Sequence, residues 1–205
     1  MSMKIFKKIL MLLAVLMMVV TPFAAITADT TSSSSSADTA KTTDDSLKKV
    51  KEKGTLVVGL SADYPPYEFT TKQDGKTEYV GIDIQIAKKF AKDLGVKLVI
   101  KNMNFDSLLD ARETGKIDTI ISAMNPTEER RKSVDFSNIY YSGGKYIVIN
   151  KKDKSKYTSK ESFKGQTVGA QNGTLEYSLI KQQFPGATVK GLAKLNNLII
   201  ALQSG

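Results

Sequence analysis

The feature that most constrains this chain is a change of period, repeated along its length. Short β-branched runs, apolar on both faces, alternate with stretches whose apolar residues recur every three to four positions, and glycine stands at several of the joins. TLVVGLS (55–61) has no polar face, so it is predicted to be a strand inside a sheet covered on both sides. From Asp83 the period lengthens. Ile86, Ala87, Phe90, Ala91 and Leu94 then share one helical face, and Gly95 stops the helix. VKLVIK (96–101) is a second strand. FDSLLDARETG (105–115) is a helix with Phe105, Leu108 and Leu109 inward, and IDTIIS (117–122) is a buried strand. KYIVIN (145–150), TVGA (167–170) and ATVKGL (187–192) read as further strands, with helices over TLEYSLIKQQF (174–184) and LNNLIIALQSG (195–205). Ahead of these, SLKKVKEKG (46–54) is a short helix ended by Gly54, Pro65 and Pro66 interrupt any regular element, and Asp74-Gly75 marks a hairpin turn.

Strands alternating with helices predict an α/β protein with a mostly parallel sheet between helical layers. A weak internal echo adds to this. FDSLLDARETGKIDTII runs helix, glycine, strand, and LNNLIIALQSG repeats the helix and glycine as the sequence reaches Gly205. Two α/β lobes are therefore expected, over 47–147 and 148–205, with the second incomplete.

The segment before them has a different character. Lys4, Lys7 and Lys8 precede the apolar run ILMLLAVLMMVV (9–20), and Ala28 offers a small residue for cleavage. Residues 1–28 thus read as a signal peptide or, uncleaved, as a membrane anchor. Both readings put the remainder outside the cytoplasm, secreted or tethered at the cell surface. Residues 29–46, rich in Ser, Thr and Asp, cannot bury enough apolar surface to order themselves and are expected to form a tether.

Composition narrows the chemistry. The chain has neither Cys nor His, which removes disulfides, thiolate nucleophiles, imidazole bases and the usual zinc ligands. No cofactor or metal is expected. The net charge of +9 falls to +6 without the three leader lysines, 27 basic against 21 acidic residues. These charges form no basic stripe with interleaved aromatics, so nucleic acid is not an expected partner.

One stretch stands apart. In ISAMNPTEERRKSVDFS (121–137), five charges, Glu128 to Lys132, follow a buried strand and a proline. Thr127 is placed to cap a short helix there. The charges are either a solvated first turn, or one arginine points back at the strand end and holds an anion.

Four ordered pieces bear on that choice: LVVGLSADYPPYEF, YVGIDIQIAKKFAKDLG, FDSLLDARETGKIDTIISAMNPTEERRKSVDFSNIYY and GQTVGAQNGTLEY. Together they resemble the extracytoplasmic solute-binding proteins of polar amino-acid ABC importers, which have the type II periplasmic binding fold. The resemblance covers about residues 47–205 and implies a function for particular positions. Arg130 would bind the ligand α-carboxylate through two parallel hydrogen bonds. Ser122, Ala123 and Asn125 would form the strand-end loop that contacts the amino-acid head group. Tyr64 and Phe105 would sandwich the ligand side chain. Gly173, Thr174 and Leu175 would present a helix N-terminus to the same carboxylate, and Ser61 and Gln171 would face the side chain.

The pattern also departs from the family. Relatives that bind cationic amino acids often carry an acid where Ser61 stands; Asp63 or Glu68 could compensate. The family's ammonium-binding aspartate would lie just past Gly205, and no lipid-bearing Cys follows the leader. The resemblance implies a monomer without enzymatic activity, closing on an amino acid about a hinge near 143–150 and delivering it to a membrane permease. The alternatives are a carboxylic-acid dehydratase on the same fold and the ligand-sensing domain of a receptor.

Overall fold

A computed structural model of the chain describes residues 45–205; the expected leader and most of the tether lie outside the described residues. Helix α1 (Ser46–Glu52) buries Val50, and Gly54, at φ 66°, turns the chain into β1 (Thr55–Leu60). A two-residue strand β2 (Asp63–Tyr64) follows, and then a hairpin of β3 (Glu68–Gln73) and β4 (Lys76–Val80). The hairpin turn is the expected Asp74-Gly75, both at positive φ, as a two-residue turn matching strand twist requires. Helix α2 (Ile82–Leu94) ends at Gly95 in the left-handed conformation. It leads to β5 (Lys97–Asn102), helix α3 (Leu108–Glu113) and β6 (Thr119–Ile120).

Strand β1 is central, parallel to β5 on one side and β6 on the other, which accounts for its lack of a polar face. The core beneath it is dry: Val58, Leu60, Ile84, Ala87 and Leu108 have no exposed surface. At full burial each large aliphatic side chain contributes about 1.5–3 kcal/mol.

A second group of elements has its own sheet and core. Strand β7 (Thr167–Gln171), helix α4 (Leu175–Gln183), strand β8 (Thr188–Leu192) and helix α5 (Leu195–Ser204) follow in order. The two strands pair in parallel, Thr167 opposite Thr188 through Gln171 opposite Leu192. Phe163, Val168, Ala170, Ile180 and Phe184 form the core, with Phe163 stacked on Tyr157 and edge-on to Phe184.

Three expectations are corrected. KYIVIN (145–150) is not a strand: no described strand pairs with it, and Tyr146 and Val148 are exposed. Apolar character supplies a side-chain preference, but a strand also needs a neighbour for its N–H and C=O groups. Phe90 does not face the core. Helix α2 starts at Ile82, and the sheet-facing row is Ile84, Ala87 and Ala91, which leaves Phe90 half exposed. The strand expected over 117–122 pairs only at Thr119–Ile120, although Ile117 and Ile121 are buried beside it.

Candidate ligand-binding cleft

The residues just past the C-terminal ends of β1 and β5 meet those just past β7 and β8. Such ends of parallel strands form the crevice in which open α/β sheets bind ligands. Ser61 follows β1 and Met103 follows β5; Gln171 ends β7, and Lys194 comes two residues after β8.

Arg130 lies at one end of this crevice. It opens a 3-10 turn, and its N–H donates to Thr127 Oγ1 at 3.3 Å; the cap position itself is Glu129, not the expected Thr127, and makes no side-chain cap hydrogen bond. The side chain is 7% exposed, whereas Arg131 and Lys132 are solvated; of the two readings of the charge cluster, the bland one holds for those two. The Arg130 guanidinium sits 5.5 Å from the Phe105 ring centroid. One nitrogen donates to the Asn125 carbonyl at 2.7 Å and another reaches across to the Gly173 carbonyl at 2.8 Å. A guanidinium has five N–H donors, so donors remain for an incoming carboxylate. Burial pulls its pKa down, opposed by Glu176 and Glu129, but an arginine stays charged in proteins.

The helix facing Arg130 is α4. Thr174 is its N-cap, accepting from Tyr177 N–H at 3.4 Å and donating to the Gln171 carbonyl at 2.7 Å, and Leu175 is the first helical residue. Gly173 has φ 73°, and a Cβ there would lie 2.9 Å from Asp106 Cα, so glycine is what lets the two backbones approach. Lys145 pairs with Glu176 on α4 and donates to Asn125 Oδ1 at 3.3 Å, a further tie across the seam.

The strand-end loop is held from below. The Ser122 hydroxyl accepts from Ser61 N–H at 3.0 Å and donates to Glu68 Oε1 at 2.7 Å, so this side chain is engaged within its own lobe. Ala123 adopts φ 45°, unusual for a residue with a Cβ, and its N–H donates to Asp83 Oδ2 at 2.7 Å. Tyr140 donates to the same oxygen at 3.0 Å. Glu68 is 1% exposed; burial, with added repulsion from Asp83, pushes its pKa up to about 9 against the opposing Ser122 hydrogen bond. It therefore carries a proton at neutral pH. Glu68 Oε2 and Asp83 Oδ1 are buried without a hydrogen-bond partner, and a neutral Glu68 spares this interior the repulsion of two adjacent carboxylates.

Tyr64, 42% exposed, stacks on Tyr67 with centroids 5.1 Å apart, while Phe105 is buried among Leu108, Ala111 and Ile117 with Arg130 against it. Of the two candidate acids near Ser61, Glu68 is buried with its pKa pushed up to about 9, and Asp63 is engaged by other protein groups. Asp63 Oδ1 accepts from the Ser61 hydroxyl at 2.9 Å, and Oδ2 accepts from Leu195 N–H at 2.9 Å and Gln171 Nε2 at 3.2 Å. Gln171 Nε2 also meets the Ala193 carbonyl at 3.0 Å and Ser61 Oγ at 3.5 Å. Lys194 closes the group, donating to Ser61 Oγ at 3.2 Å and the Met103 carbonyl at 3.1 Å. Asp83 and Lys194 were not singled out from sequence. Asp83 carries a faint signal as an acid in the first turn of an amphipathic helix, and Lys194 carries none.

Comparison with known proteins accords with this architecture. Residues 56–203 match the family model for bacterial extracellular solute-binding proteins, family 3, and the chain belongs to that family. Its fold is the two-lobed α/β fold of type II periplasmic binding proteins. It is 35% identical over 154 residues to the arginine-binding extracellular protein ArtP of Bacillus subtilis, covering 74% of this chain and 58% of that protein. It is 33% identical over 174 residues to a glutamine-binding protein of Geobacillus stearothermophilus, covering 81% and 65%. Among solved structures, it is similar to the amino acid ABC transporter substrate-binding protein AbpA of Streptococcus pneumoniae bound to L-arginine. There the TM-score is 0.75 with 38% identity, over 77% of this chain and 67% of that one. The chain thus spans about three-fifths of the length of the curated relatives it matches.

Proposed function

We propose that this chain captures a polar amino acid outside the cytoplasm for an ABC importer, delivers it to the membrane permease and performs no chemistry on it. The observation that carries the reading is the buried, charged Arg130, held over Phe105 at the strand ends and facing the N-terminus of α4. A guanidinium and a helix N-terminus on opposite walls suit one carboxylate from both sides. Asn125 and the Ala123 backbone are the head-group contacts in this reading, Thr174 and Leu175 the opposite wall, and Tyr64 the ring at the mouth. Lobe boundaries near 147 and a hinge over 143–150 belong to the same proposal, as do a monomeric state and tethering at the cell surface. Named relatives bind arginine and glutamine, which supports an amino-acid ligand without choosing one.

A dehydratase would need a poised acid facing the cleft. Among the described residues, the carboxyl whose pKa is raised is Glu68, which is buried and bonded to Ser122, so the binding reading is preferred. A thermal-shift screen of the twenty amino acids tests the proposal. A rise in melting temperature with one or a few polar amino acids, each recovered unchanged, is expected; no rise with any of them would overturn it.

A further inference from the structure

We propose that Asp83 is a positioning residue for amino-acid capture: it holds Ala123 in a left-handed backbone conformation and so sets the loop that orients Arg130. The proposal rests on the reading of Arg130 as the carboxylate site. The strain lies at Ala123, whose φ is 45°. Among the described residues, Asp74 is the other non-glycine at positive φ, and it sits in a two-residue hairpin turn that requires that conformation. Ala123 is in no such turn, and a residue with a Cβ is unfavourable there. A backbone of this kind persists where its surroundings hold it.

The holding group is Asp83, the second residue of α2, which has no exposed surface. An acid in a first helical turn ordinarily serves the positive end of its own helix. The Asp83 side chain instead accepts the Ala123 N–H at 2.7 Å and the Tyr140 hydroxyl at 3.0 Å, both through Oδ2. The start of α2 is itself fastened. Ile82 N–H donates to the Pro66 carbonyl at 3.1 Å, and Asp83 N–H donates to the Tyr67 carbonyl at 2.9 Å. Gly81 permits that approach, since a Cβ there would run into the Tyr67 carbonyl oxygen. Asp83 is therefore a fixed post to which the Ala123 N–H is drawn. Two residues further on, the Asn125 carbonyl accepts from the Arg130 guanidinium at 2.7 Å. The route from Asp83 through Ala123 and Asn125 to Arg130 stays within the first lobe. Without Asp83, Ala123 relaxes to negative φ in most molecules, and affinity falls with the fraction that keeps the binding loop.

The test is calorimetric titration of the twenty amino acids, one at a time, into full-length protein, with NMR amide exchange at Ala123 measured before any is added. Wild type is expected to bind at least one of them. Asp83→Ala is expected to weaken that binding about tenfold or more and to speed Ala123 exchange by a similar factor. Asp83→Leu, which keeps the branched shape without an acceptor, carries the same expectation if the alanine variant does not fold. Asp83→Asn, which keeps an accepting oxygen, is expected to bind within about threefold of wild type. The discriminating protein is the double variant Asp83→Ala, Ala123→Gly. Glycine takes positive φ as readily as negative, so this variant is expected to recover most of the lost affinity. A merely structural role for Asp83 predicts no recovery, because glycine loosens an already weakened lobe further. Unchanged affinity in Asp83→Ala and Asp83→Leu, or a double variant that binds no more tightly than Asp83→Ala, would overturn the proposal and leave the amino-acid reading standing. A wild type that binds none of the twenty would overturn that reading and the proposal with it.

Discussion

The two lobes use the same local grammar and arrive at different burial. In the first, β1 lies between two parallel neighbours with helices packed on it, and Val58, Leu60, Ile84 and Leu108 lose all contact with solvent. In the second, the sheet has two strands, and its core residues keep 5–9% exposure. The contrast is sharpest between helices. α2 buries four residues, whereas α5, with six apolar residues in ten, buries none and leaves Ile200 62% exposed. Local sequence decides where a strand or helix forms; the number of layers around it decides how much hydrophobic energy it yields.

That difference can be broken by equivalent truncations. Leu108→Ala in the first core is expected to cost about 2–5 kcal/mol, and Ile180→Ala in the second about 1–3 kcal/mol, because a looser site relaxes more readily. Urea unfolding of both variants, with hydrogen exchange slower in β1 than in β8, checks this; an Ile180→Ala penalty equal to or above that of Leu108→Ala would reverse the comparison.

A smaller effect sharpens the account of the first lobe's polar interior. The folded pKa of Glu68, about 9, lies above its ordinary value of 4.5, so the folded state holds the proton more tightly. Stability from this group is complete below the ordinary value and declines as pH rises through that window, with a slope of at most about 1.4 kcal/mol per pH unit. Glu68→Gln is expected to flatten the fall in melting temperature between about pH 5 and about pH 8. An unchanged slope would mean that Glu68 ionises normally. The smallest effect belongs to α5. Ile200→Ser is expected to change stability by no more than about 0.5 kcal/mol, and a larger loss in thermal melts would show that this helix is covered in solution.

What the sequence reveals follows the same division. The central position of β1, the Asp74-Gly75 turn and the Gly95 stop were legible because each depends on neighbours in the chain. Arg130 was singled out by its motif, and the structure separates it from Arg131 by burial, which the motif does not reveal. KYIVIN misled because a pairing partner is not a local property. Phe90 misled because the choice between two adjacent helical rows is made by where the sheet lies. The Asp63–Lys194 group was hidden for the same reason: its members are more than 100 residues apart and become neighbours only when two sheets present their strand ends to each other. The Glu68 proton was hidden because a carboxyl's pKa is set by burial, which composition does not reveal.

The central claim is that Arg130, and not its charged neighbours, holds the ligand. The measurement that tests it most directly is calorimetric titration of the amino acid found by screening into wild type, Arg130→Ala and Arg131→Ala. Arg131, exposed and 5.3 Å from the Phe136 ring, is the matched control. The account predicts a loss of affinity of about 100-fold or more for Arg130→Ala and a change within about threefold for Arg131→Ala. Equal affinity in all three proteins would contradict it.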